Sequence, residues 1–186
     1  PIRSSIHILQ QHFQEDPLVD QVLDISERQI AHMSRLLDDL LDMARLTQGK
    51  IQLRRELVHL QAVLDRAIES SRHFIDSRGH TLQTEMTAEP IYLYADPARL
   101  EQIFRNLLNN AAKYTDFGGH IRIATESTAD EVTIRVSDNG IGISATLLPH
   151  VFDLFTQADR SIDRSQGGLG IGLTLVKNLV TMHAGQ

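Results

Sequence analysis

The chain has 186 residues, 41% of them apolar, which supports one ordinary domain plus a second small unit and excludes a disordered tail as the whole account. A formal charge of -6 without any Lys/Arg-rich run removes the electrostatic footprint of a nucleic-acid binder. Cysteine is absent, which excludes disulfides and thiolate metal sites and suits a reducing cytoplasm, and no apolar run approaches the roughly 20 residues of a membrane span, so this segment is expected to make no direct membrane contact.

In chain order, Ile2, Ile6, Leu9 and Phe13 recur at helical steps, and Asp16-Pro17 then interrupts the pattern. Residues 22–43 read as a long amphipathic helix, its stripe formed by Val22, Ile25, Met33, Leu36, Leu40 and Met43 and broadened by Ile30, Leu37 and Leu41. The two helices make a hairpin whose stripe is too wide for either to cover alone. Self-association into a dimeric four-helix bundle is therefore expected, with packing against the rest of the chain as the alternative. Thr47-Gln48-Gly49 ends the long helix and divides the chain into residues 1–48 and 49–186.

A mixed pattern follows. Residues 58–75 read as a helix with Leu60, Val63, Leu64, Ala67, Ile68 and Phe74 on one side. Leu82, Thr84 and Met86 alternate as a strand, and Ile91, Leu93 and Ala95 continue it. Asp96-Pro97 is a helix start, because Asp caps and Pro is preorganised for the first turn, and Ile103, Leu107, Leu108 and Ala111 continue that helix. Strands through Ile121 and Ile123, and through Val132, Ile134 and Val136, precede a last helix over residues 170–182. The expected fold class is α+β, a two-layer sandwich of largely antiparallel strands with one sheet face covered by helices.

Three segments carry chemistry. Asn106, Asn110 and Lys113 share a helix face that ends at Tyr114-Thr115, where amides and an ammonium can meet phosphate and a hydrated metal; a polar outer face is the plainer reading. Asp138-Asn139-Gly140-Ile141-Gly142-Ile143 follows a strand, so its carboxylate can accept from an exocyclic amine while the glycines admit a ligand closely; a simple turn is the plainer reading. Gly167-Gly168-Leu169-Gly170-Ile171-Gly172-Leu173-Thr174 runs into a helix whose free N–H groups favour a polyphosphate. Its spacing is neither that of a dinucleotide fold nor that of a P-loop.

In order and spacing these segments resemble the N, G1 and G2 boxes of the sensor histidine kinase catalytic domain, a fold shared with gyrase, a heat-shock chaperone and mismatch-repair ATPases. Phe152-x-x-Phe155 resembles the F box, residues 156–167 the lid over ATP, and residues 28–43 the second helix of the kinase dimerisation and phosphotransfer domain. The resemblance implies that Asn110 coordinates Mg²⁺, Lys113 contacts phosphate, Tyr114 packs near the adenine and Asp138 binds its amine. Gly140 and Gly142 then line the base pocket, and Gly168, Gly170 and Gly172 surround the phosphates. Asn106, Ile143, Phe155, Leu169, Leu173 and Thr174 complete the candidate set, with Arg160 and Arg164 as lid contacts to the γ-phosphate.

The resemblance further implies transfer of the ATP γ-phosphate to a histidine on the dimerisation helix and relay to a response-regulator receiver domain. It places this segment in the cytoplasm, whether or not the parent is membrane-anchored. Pro1-Ile2 resembles the close of the H box, which puts the acceptor histidine before this chain and the usual last strand pair after it; this segment is then expected to bind nucleotide without phosphorylating itself. Neither His7 nor His32 is followed by the acid that accompanies the family's acceptor. Hydrolytic members of the fold resemble one another in carrying Glu where this chain has Asn106, and an amide is no general base. A nucleotide-regulated dimerisation scaffold and a hydrolytic ATPase are the alternatives.

Overall fold

The computed structural model describes residues 17–128, 130–157 and 169–186. The chain divides between Gly49 and Lys50 into two compact units. In the first, α1 spans Pro17–Thr47, longer at both ends than the periodicity predicts. Pro17 opens it, because a first-turn residue has no intrahelical partner for the N–H that proline lacks. Gly49 ends it at φ 61°, donating its N–H to the Leu46 carbonyl at 2.9 Å. Leu23 and Met43 are buried, whereas Val22, Met33, Leu37 and Leu41 are more than half exposed. The helix expected over residues 2–13, and the hairpin with it, lies outside the described residues.

The second unit opens with β1, Glu56–His59, which the sequence reading gave in part to a helix. Four residues are too few for alternation to register, and it is pairing that holds them extended. β1 runs antiparallel to β3, Tyr92–Ala95, from Glu56 opposite Ala95 to His59 opposite Tyr92. The helix α2 begins only at Leu60 and spans Leu60–Ser77, its first N–H donating to the Ile91 carbonyl.

β2, Thr81–Glu85, lies parallel to β4, His120–Ser127, and β4 lies antiparallel to β5, Val132–Asp138. The strand expected through Leu93 and Ala95 is β3, in a separate two-stranded sheet with β1. Along β4 the buried Ile121, Ile123 and Thr125 alternate with the exposed His120 and Arg122, so one face of the three-stranded sheet is covered. The cover consists of α2 and α3 (Pro97–Tyr114), with α4 (Gly172–Met182) packed on α3, and the three contribute Leu64, Ile75, Leu108, Leu175 and Leu179 to a fully buried core. Among the described residues no helix is long and apolar enough to cross a membrane.

Candidate functional site

α3 is anchored at its start, where Asp96 Oδ1 accepts from the amides of Ala98 and Arg99 at 3.1 and 3.2 Å, and it delivers the first segment at its end. The last four carbonyls of a helix lack intrahelical donors and must find others. Ala111 O receives the Thr115 amide at 3.1 Å and Tyr114 O the Ile141 amide at 3.1 Å. Asn110 and Lys113 are half-buried and Tyr114 is exposed. The Lys113 ammonium donates to Tyr114 Oη at 3.1 Å and lies 4.7 Å from the centre of its ring.

The second segment meets the first through that Ile141 bond. β5 ends at Asp138, whose Oδ1 accepts the Gly140 amide at 2.9 Å and closes a tight turn. Asn139 ties the turn to β4 in both directions: its Oδ1 accepts the His120 amide at 2.7 Å, and its own amide donates to His120 O at 3.2 Å. Gly140 has no alternative here, since a Cβ would lie 2.8 Å from Asp138 Oδ1 and closer still to Tyr114 O. Asp138, Ile141, Gly142 and Ile143 face solvent, with Gly142 at φ 69°.

The third segment reaches α3 at Asn106. α4 starts at Gly172, and among the described residues no side chain caps its first turn, whose backbone N–H groups suit an anion. A Cβ on Gly172 would come within 3.8 Å of Asn106 Oδ1, and Asn106 Nδ2 is buried without a hydrogen-bond partner among the described residues. Thr174 is 8% exposed with its Oγ1 likewise unpartnered. Phe155 donates its amide to Gly170 O at 3.2 Å, both residues lying in the left-handed region at φ 63° and 70°. Leu173 is half-buried and Leu169 exposed. Arg160, Arg164 and Gly168 lie outside the described residues.

Thus the structure links Tyr114 to Gly140 and Asp138, and Asn106 to Gly172. No cluster of three His, Asp or Glu occurs among the described residues. An Mg²⁺ ion fits this donor set all the same, because it keeps several waters and takes its remaining ligands from phosphate oxygens, leaving a single amide such as Asn110 to the protein. A cleft of about 300 Å³ lies elsewhere, among His59, Leu60, Leu64, Met86 and Ile91, and contains none of the candidates. The sequence reading gave Asn139 no role, and nothing in the local pattern signals its bond to β4.

Residues 95–186 match the family described as histidine kinase-, DNA gyrase B- and HSP90-like ATPase. The sensor protein kinase WalK of Staphylococcus saprophyticus is 30% identical over 176 residues, 94% of this chain but 28% of the relative, so the chain spans less than a third of that protein. Among solved structures, the full-length ShkA complex with AMPPNP shares 23% identity at a TM-score of 0.76, covering 97% of this chain and 37% of that one. Histidine kinase ThkA, in its complex with the response regulator protein TrrA, shares 18% identity at a TM-score of 0.67, covering 99% of this chain and 50% of that one. These two likenesses concern the fold. The family match places residues 95–186 among the histidine kinase-, DNA gyrase B- and HSP90-like ATPases, as an ATP-binding domain of the kind that the sensor kinase relative carries.

Proposed function

We propose that residues 49–186 bind ATP with Mg²⁺ and present its γ-phosphate to a histidine of a dimerisation hairpin to which residues 1–48 belong, for relay to a response-regulator aspartate. The observation that carries this reading is the junction at Tyr114 and Ile141, which joins the turn of the exposed Asp138 to the end of α3, where the exposed Tyr114 stands. In this reading Asp138 accepts from the adenine amine, with Ile143 and the glycines beside the base. Asn110 holds the hydrated metal, and Lys113 with the α4 N-terminus neutralises phosphate. Leu169, Leu173, Thr174 and Phe155 border the phosphates.

Asn106 supports transfer over hydrolysis. Its amide occupies the place next to Gly172, and an amide cannot take a proton from water. Catalysis then consists of positioning and charge neutralisation. The exposed apolar side chains of α1 support a dimer through the hairpin.

Calorimetry with a non-hydrolysable ATP analogue, with and without Mg²⁺, tests the reading on this chain and on its Asp138→Ala and Asn110→Ala variants. Binding that is lost in the first variant, and loses only its Mg²⁺ dependence in the second, is the expected result. A folded chain that binds no analogue removes the reading.

A further inference from the structure

The C-terminal turn of α3 carries Asn110, Lys113 and Tyr114, yet one of its carbonyls is satisfied from a distant part of the chain. His80 follows α2 by three residues, in a turn that Gly79 makes at φ 65°. It is 7% exposed, and its Nε2 lies 3.0 Å from the Ala112 carbonyl. A carbonyl only accepts, so Nε2 is the donor in this bond. The ring's Nδ1 is buried and meets no partner among the described residues. The ring is thus held by a single directional bond, and that bond ends on the helix turn bearing the candidate site.

The surrounding backbone aims the ring. The Thr81 amide donates to Gly119 O at 2.9 Å, the Gly118 amide to Arg78 O at 3.0 Å, and Arg78 Nη2 to Thr115 O at 3.3 Å. The Arg78 guanidinium also lies 4.7 Å from the centre of the Phe117 ring. The turn after α2 is therefore zipped to the turn after α3, with His80 buried between them. Ala112 O is a carbonyl for which the helix itself has no donor. Buried and unmet, it would drive the last turn to open toward water.

We infer that His80 is a positioning residue for nucleotide binding: by donating Nε2–H to Ala112 O it holds the last turn of α3 in the register that presents Lys113 and Tyr114. The inference rests on the nucleotide reading of the site. It does not require His80 to touch the ligand.

The test uses the whole chain, a non-hydrolysable ATP analogue with Mg²⁺, two variants at His80 and one control variant. His80→Leu fills the space without a donor, and His80→Gln restores one. His80→Leu is expected to weaken analogue binding about tenfold, the loss of one buried hydrogen bond, and His80→Gln to recover most of it. Without nucleotide, the amides of Lys113, Tyr114 and Thr115 should exchange faster in His80→Leu than in the parent, while Ile75→Val, a core loss in α2, should leave them and the affinity unchanged. In the parent, nitrogen NMR should show the His80 Nε2 proton hydrogen-bonded. Affinity of His80→Leu within about twofold of the parent overturns the inference, as does His80→Gln failing equally. A parent that binds no analogue overturns the nucleotide reading itself; a parent that binds, beside an unaffected His80→Leu, overturns this inference alone.

Discussion

The Ile141 amide donates to the Tyr114 carbonyl at 3.1 Å, so the loop after β5 and the last residue of α3 move as one piece. The bond satisfies an orphan helix carbonyl and, in the same contact, ties the Asp138 turn to the backbone of Tyr114. Two segments 24 residues apart in sequence thereby share one geometry.

Gly140→Ala tests that junction directly. Its Cβ has no room beside Tyr114 O and would stand 2.8 Å from Asp138 Oδ1, so backbone rather than a flexible side chain must give way. Analogue affinity should fall by at least about tenfold, and amide shifts should change at both Ile141 and Thr115. Gly142→Ala is the comparison, since its Cβ meets nothing within 4 Å while its φ of 69° still costs about 1 kcal/mol of strain. Equal affinity losses in the two would mean that strain, and not the junction, governs binding.

Asp96→Ala removes acceptors for three backbone amides. Besides capping Ala98 and Arg99 through Oδ1, Asp96 receives the Arg54 amide on Oδ2 at 2.9 Å, and it is 7% exposed. The loss should be about 2–3 kcal/mol in urea denaturation, above an ordinary N-cap because the Arg54 donor is orphaned too. Asp96→Asn keeps one acceptor oxygen and should lose roughly half as much. A loss under about 0.5 kcal/mol in Asp96→Ala would show that water replaces all three bonds.

What could be read from the sequence divides along the same line. The Asp96-Pro97 start of α3 was legible because cap and proline act on their own first turn. The alternation of Ile121 and Ile123 marked β4, since one covered face imposes a period of two. β1 was not legible: its four residues are extended only because β3 pairs with them. Asp138 and the glycines were visible as types in a spacing. Their attachment to Tyr114, and the reach of His80 across 32 residues to Ala112, are tertiary and leave no local mark.

The Glu85 and Arg122 pair crosses from β2 to β4 on the exposed face of the sheet. Their side-chain hydrogen bond holds the Glu85 carboxyl below its ordinary range and the Arg122 guanidinium above its own. A carboxylate with a lowered folded pKa contributes stability that is complete above its unfolded value, about 4.3, and is lost as pH falls through the folded one. Glu85→Gln should therefore lower the thermal midpoint slightly at pH 7, slightly because both groups are exposed, and its difference from the parent should vanish as pH falls below about 4.3. An equal offset at every pH would assign the pair no titrating role.

Phe155 poses the sharpest trade between stability and binding. It is 64% exposed, so its ring gains little from burial, yet its backbone lies at φ 63°, which costs a side-chain-bearing residue about 1 kcal/mol. Strain without local compensation persists where a function holds it. Asn tolerates the left-handed region better than Phe and keeps the amide that donates to Gly170 O. Phe155→Asn should therefore unfold at equal or higher urea, by up to about 1 kcal/mol, while binding the ATP analogue more weakly. Both quantities are to be read on one preparation. Lower stability would mean that the phenyl ring packs against the domain. Unchanged affinity would take Phe155 out of the site and leave its backbone angle to the Gly170 bond alone.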